Sequence, residues 1–153
     1  MVSIAKISHR GAIANSGTYT APGQVARPLN TIKSDPDNIV ASLSSNQFTL
    51  VPGKYLIQVF GLCHFVQDAI MTIENVTDSQ RIGLSNNLFG NDVLSNPWTW
   101  AVARSDVTQN TTYEIGFNGD ITRFNDAFGE SNTLGQGDGE VYCDVLIEQL
   151  EAG

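Results

Sequence analysis

Charge is scarce in this chain, and basic charge scarcest of all. Only 16% of its 153 residues are charged, and eight basic residues face sixteen acidic ones. The basic residues are scattered singly, so no stripe exists to neutralise a phosphate backbone, and nucleic-acid binding is not expected. Long apolar runs are also missing. None approaches the roughly 20 residues of a membrane-spanning helix, so no membrane insertion is expected. Met1 to Ala14 has no secretory-signal core, because Lys6, His9 and Arg10 interrupt it. Synthesis and folding in a cytosol are the expectation. Cysteine is limited to Cys63 and Cys143. In a reducing compartment two such residues read as buried thiols before they read as a disulfide.

The groups that carry chemistry are equally thin. His9 and His64 are the only imidazoles. His64 follows Cys63, but adjacent strand residues point to opposite faces, so the two cannot converge as base and nucleophile. No nucleophile elbow, zinc spacing or phosphate loop occurs. Asp120, Asp126, Glu130 and Asp138 offer hard oxygen atoms of the kind Ca²⁺ prefers. Their spacing fits no EF-hand loop, so they read as solvated loop carboxylates. The expectation is a protein without a reaction, a cofactor or a resident metal.

What the chain does have is period-two alternation and turn chemistry. The run from Gln47 to Val66 is the most informative. A short apolar strand ends in Val51-Pro52-Gly53, and a long strand begins at once. Proline presets its own backbone angle and glycine supplies the one the turn needs. In the long strand Tyr55, Ile57, Val59, Cys63 and Phe65 share one face. Leu56, Phe60 and Leu62 lie on the other among Lys54, Gln58 and His64, which is too apolar for free solvent. The last strand, Glu140 to Leu150, repeats the pattern. Val141, Cys143, Val145 and Ile147 face one way, and Tyr142, Leu146 and Leu150 the other. Trp98, Trp100 and Val102 share one side of a further strand, where packing is the simpler reading and a glycan platform the alternative. Eight to ten strands, no helix and long crossings predict an all-β antiparallel jelly-roll sandwich in one domain. Residues 1–26 are expected to form a short N-terminal arm and residues 27–153 the jelly roll.

Several short motifs carry a resemblance. Leu29-Asn-Thr31, Asn46-Gln-Phe-Thr-Leu50, Pro52-Gly-Lys-Tyr55, Asn75-Val-Thr-Asp78, Glu140-Val-Tyr142 and Ile147-Glu-Gln-Leu150 follow one another in order. Together they resemble the trimeric jelly-roll domains of bacteriophage virion proteins. Those domains are similar to the globular heads of complement and tumour-necrosis-factor-like proteins. The resemblance implies a homotrimer in which one sheet of each subunit lies against its neighbours. It makes Phe60, Leu62, Tyr142, Leu146 and Leu150 the candidates for the trimer interface. No collagen-like segment, heptad run or β-helical repeat precedes the domain, so a shaft is not expected in this polypeptide. A capsid decoration (cement) protein on the virion surface is the reading that follows, with the major capsid protein as partner. The arm residues Val2, Ile4, Lys6, Ile7, His9 and Arg10 would make the capsid contact. The alternative is the tip of a tail or head fibre that binds a host surface glycan or receptor through its loops. A small glycan hydrolase would need two carboxylates paired across a cleft, and no spacing provides them.

Overall fold

A computed structural model describes residues 2–11, 16–64, 67–90, 98–124, 126–129 and 140–153. Among them there is no helix. The strands in chain order are β1 (Ser3–Gly11), β2 (Val25–Ala26), β3 (Thr31–Ser34), β4 (Val40–Ser44), β5 (Gln47–Leu50) and β6 (Gly53–Leu62). They continue as β7 (Gln67–Asn75), β8 (Gln80–Leu84), β9 (Leu88–Gly90), β10 (Trp98–Val107), β11 (Thr111–Gly119) and β12 (Glu140–Ala152). Two antiparallel sheets stack face to face. One has five strands in the order β10-β6-β12-β1-β3. The other runs β4-β5-β11-β7-β8, with β2 added on β11 and β9 on β7. The all-β sandwich expected from the alternation is therefore what the chain forms.

The core lies between the sheets and takes alternate residues of the long strands. Ala5 and Ile7 of β1, Tyr55, Ile57 and Val59 of β6, and Val145 and Ile147 of β12 are buried from one side. Phe48 and Leu50 of β5, Met71 and Ile73 of β7, and Tyr113, Ile115 and Phe117 of β11 are buried from the other. The face expected for Tyr55, Ile57, Val59 and Cys63 is the core face. Phe65 lies outside the described residues.

The Val51-Pro52-Gly53 corner does more than fold one strand onto the next. β5 belongs to the seven-stranded sheet and β6 to the five-stranded one. The corner therefore carries the chain across the sandwich. Gly53 has a φ of +156°, which a side chain rarely tolerates.

The N-terminal arm is corrected by the structure. Residues 3–11 are β1, inserted between β12 and β3. Ala5 stands opposite Ile147 and Ile7 opposite Val145, and all four are in the core. The alternation of Val2, Ile4 and Ile7 with polar residues was a strand signal, and the sheet needed that strand to cover β12. On its outer side the Lys6 ammonium lies 2.8 Å from Asp144, and the Ser8 hydroxyl donates to the same carboxylate at 2.6 Å. Chain upstream of residue 27 is also tied down elsewhere. Gly17 and Tyr19 bridge to Asp126 and Arg123, and β2 pairs with β11.

Candidate interaction face and the buried arginine beneath it

The outward side of the five-stranded sheet is built in cross-strand rows. Trp98 stands beside Leu62. Trp100, Phe60 and Asp144 form the next row, then Val102, Gln58, Leu146 and Lys6, then Arg104, Leu56, Glu148 and Ile4. The inward neighbours Thr99, Ala101 and Ala103 are buried, so strand alternation forces Trp98, Trp100 and Val102 outward. They remain 61%, 48% and 42% exposed, and Phe60 beside them 38%. The Phe60 and Trp98 rings sit 6.4 Å apart. Large apolar side chains thus gather on β10 and β6 toward the Trp98 end, with Arg104 further along β10 and Asp144, Glu148 and Lys6 on β12 and β1.

The other sheet treats its outward face differently. There Gln47 donates to Glu114 at 2.9 Å, and Thr49 and Thr112 share a hydrogen bond of the same length. Arg81 donates to Glu74 at 2.8 Å and to Gln24 at 2.9 Å. Such a face satisfies itself and meets water. The five-stranded face leaves two tryptophans and a phenylalanine adjacent and uncovered, which is the signature of an interaction surface.

Not all the expected interface residues lie on that surface. Phe60, Leu62 and Leu146 do, and Leu150 is exposed beside the β-bulge between Gln149 and Glu151. Tyr142 is corrected, being only 2% exposed within the subunit. Its ring packs 5.3 Å from His9 and beside Gly129, so it offers a neighbour almost no surface. Of the expected arm contacts, Ile7 and His9 are buried, while Val2, Ile4 and Lys6 line the far end of the same face. Trp98, Trp100 and Val102 were not among the expected interface residues. Their shared side was legible in the alternation, but whether it pointed to core or solvent was not.

Beneath the face lies a group that no pattern in the sequence announced. Arg27 is fully buried, and among the described residues no carboxylate pairs with it. Its Nη2 donates to the carbonyl oxygens of Leu62 at 2.6 Å, Tyr142 at 2.7 Å and Phe128 at 3.0 Å. The guanidinium also lies over the Phe128 ring, 4.8 Å from its centre, and 5.8 Å from that of Phe117. Carbonyl dipoles and aromatic faces thus replace the water the cation lost. Gly61 makes the room. A Cβ there would stand 2.7 Å from Met71 Sδ and 3.1 Å from Arg27 Cζ. Arg27 ties together the ends of β6 and β12 and the segment at Phe128.

The buried cation and the dry core set the state of their neighbours. Burial, then the Arg27 charge, lowers the His9 pKa to about 4. His9 is neutral at pH 7, its ring wedged against Tyr142 and Phe128. Burial pushes the Cys143 thiol up to about 11 and raises Cys63 as well. Both are free, buried thiols rather than a disulfide. His64 is buried too, with Nδ1 3.2 Å from Asp126.

His9 yields a pH prediction. Unfolded, its pKa is near 6.5, above the folded value, so between pH 6.5 and about 4 the unfolded chain binds the extra proton. Stability from this group is complete above pH 6.5 and is lost as pH falls toward 4. The loss is about 3 kcal/mol. Urea unfolding at pH 7, 5.5 and 4.5 should show it. A His9→Phe variant should flatten that part of the profile, and an unchanged profile would remove His9 as its source.

Among the described residues, no cluster of three or more His, Cys, Asp or Glu side chains could hold a metal ion. Asp126 is occupied by Arg123 and His64, while Glu130 and Asp138 lie outside the described residues.

A two-sheet antiparallel sandwich of this strand order is the jelly roll of the complement-globular-head and tumour-necrosis-factor-like kind. The globular domain of zebrafish complement 1qA protein superposes with a TM-score of 0.63 at 12% identity, over 100% of both chains. Murine APRIL superposes with TM-scores of 0.62 and 0.63 in two crystal structures. Each is 7% identical and matches 98% of this chain and 100% of its own. No family model matches the sequence, and no curated protein does. At such identities the likeness concerns the fold.

Proposed function

We propose that this protein works by assembly and binding, as a homotrimeric jelly-roll structural protein of a bacteriophage virion. The carrying observation is the outward face of the five-stranded sheet, where Phe60, Trp98, Trp100 and Val102 stand uncovered together. Covering such a face with a second copy offsets the cost of exposing it, at about 25 cal/mol per Å² of apolar surface removed from water. The virion setting comes from the ordered sequence motifs, and within it decoration of a capsid shell is the preferred role. The shell contact is not assigned to an N-terminal arm, since β1 is part of the sandwich. Three subunits would each grip the shell weakly and hold it firmly together, through effective concentration.

A second reading rests on its own observation. Trp98 borders an open hollow lined also by Phe60, Leu62, Val141 and Asp144, and an aromatic wall beside a carboxylate suits a sugar ring. That favours a receptor-binding or glycan-binding fibre tip.

Two measurements separate the readings. Sedimentation at micromolar concentration should give a trimer, and a monomer would end the assembly proposal. The trimer should bind capsid shells stripped of decoration and raise their melting temperature. Failure to bind shells, together with binding to host cells that blocks infection, would transfer the function to the fibre tip.

A further inference from the structure

The subunit carries both a hollow and a protruding ring at the same end. At the end where β6 finishes and β10 and β12 begin, a hollow of about 230 Å³ opens on the outward face of the five-stranded sheet. Phe60, Leu62, Trp98, Val141, Tyr142 and Asp144 line it. A cavity of about 150 Å³ accepts benzene, so this one has room for a phenyl ring.

The protruding ring is Phe124, at 72% the most exposed large hydrophobic side chain among the described residues. It sits on the segment that leaves β11 and crosses the end of the sandwich. That segment is braced on both sides of the ring. Arg123 exchanges backbone hydrogen bonds with Tyr19, at 2.8 and 2.9 Å. Arg123 also donates twice to Asp126, at 3.2 and 2.5 Å. Ala127 donates to the Gly17 carbonyl at 3.1 Å, and the Phe128 ring is sunk in the core 5.1 Å from Phe117. A ring on a loose loop would fold back onto apolar surface. With the chain held at Arg123 and Ala127, Phe124 costs less to order on binding than such a ring would.

We infer that Phe124 of one subunit seats in the hollow between Trp98 and Val141 of the next subunit of the trimer. The inference rests on the trimer reading above and names how its copies interlock. A cyclic assembly of three uses a heterologous contact, in which two different patches of the same chain meet. Such a contact needs a knob and a socket on one subunit. A rotation about an axis along the strands keeps each at its own height, and these two share the same end. The socket is also continuous with the exposed Trp100 and Phe60 row, so filling it extends the covered face.

Disulfide trapping tests this. A Phe124→Cys/Val141→Cys protein is oxidised mildly and run without reductant, with the same sample sedimented beforehand. The native thiols Cys63 and Cys143 are buried and do not compete. Covalent dimers and trimers are expected from the double variant and from neither single variant. A sedimenting trimer that gives no covalent species overturns the interlock and leaves the trimer standing. A wild-type monomer overturns both. Independently, Phe124→Ser should raise the trimer dissociation constant at least tenfold with no change in the subunit's unfolding midpoint. An unchanged constant also overturns the interlock.

Discussion

Replacing Trp100 and Phe60 together with aspartate is expected to give a folded monomer. The two residues share one cross-strand row on the outward face, and neither contributes to the core. Their loss leaves the core intact but sets two new carboxylates beside Asp144 in one row, so the subunit should lose about 1–2 kcal/mol and still fold. In the trimer each would bury a carboxylate without a partner in place of an aromatic anchor. Central aromatic anchors are worth about 2 kcal/mol or more apiece, so the pair should weaken association by at least about a hundredfold. Sedimentation across a concentration series measures this directly. Leu84→Asp is the control. Leu84 is similarly exposed, but on β8 of the seven-stranded sheet, whose outward face carries the Gln47–Glu114, Thr49–Thr112 and Arg81–Glu74 pairs. It should leave the trimer intact. If both variants dissociate the trimer, or neither does, the five-stranded face is not the assembly surface.

Arg27→Ala should lower the stability of the subunit itself by about 4 kcal/mol, through two losses that add. The carbonyl oxygens of Leu62, Phe128 and Tyr142 lose a charged donor in a place water does not reach, and the core gains a cavity. Domains of this size are stable by only about 5–15 kcal/mol, so the variant would be near its limit. Arg27→Lys keeps the charge but loses the planar fork and its stacking on Phe128, and should cost about 2 kcal/mol. Arg27→Met fills the volume and leaves the carbonyls unpaired, and should fall between wild type and alanine. Urea midpoints give the order. A loss under 1 kcal/mol for alanine would mean that the three carbonyls find other donors. Because Arg27 also depresses His9, the Met variant should raise the His9 pKa, which NMR titration reads independently of stability.

Some of this was legible in the chain and some was not, and the difference is physical. The alternation in β6 and β12 sorted Tyr55, Ile57, Val59, Val145 and Ile147 from Phe60, Leu62 and Leu146 correctly, because strand geometry is local. The same alternation in Val2 to Ser8 is legible as a short strand, but it does not say whether that strand joins the sandwich or stays in an arm. A strand's partner lies elsewhere in the chain, here at Val141 to Gln149, and nothing local names it. Tyr142 shows the complementary limit. Its parity placed it correctly opposite Cys143, but the segment through Gly129 and the His9 ring cover it from outside the strand.

From sequence alone came the all-β class, the corner at Pro52-Gly53 and the two-faced strands. Each follows from composition or from angles set by near neighbours. Only the tertiary structure decided which apolar face met the core and which met solvent, that Arg27 is buried against three backbone carbonyls, and that Phe124 and the Trp98 hollow share one end. Those depend on contacts between residues far apart in the chain, where burial and desolvation are settled by the packed sheets and not by any local pattern.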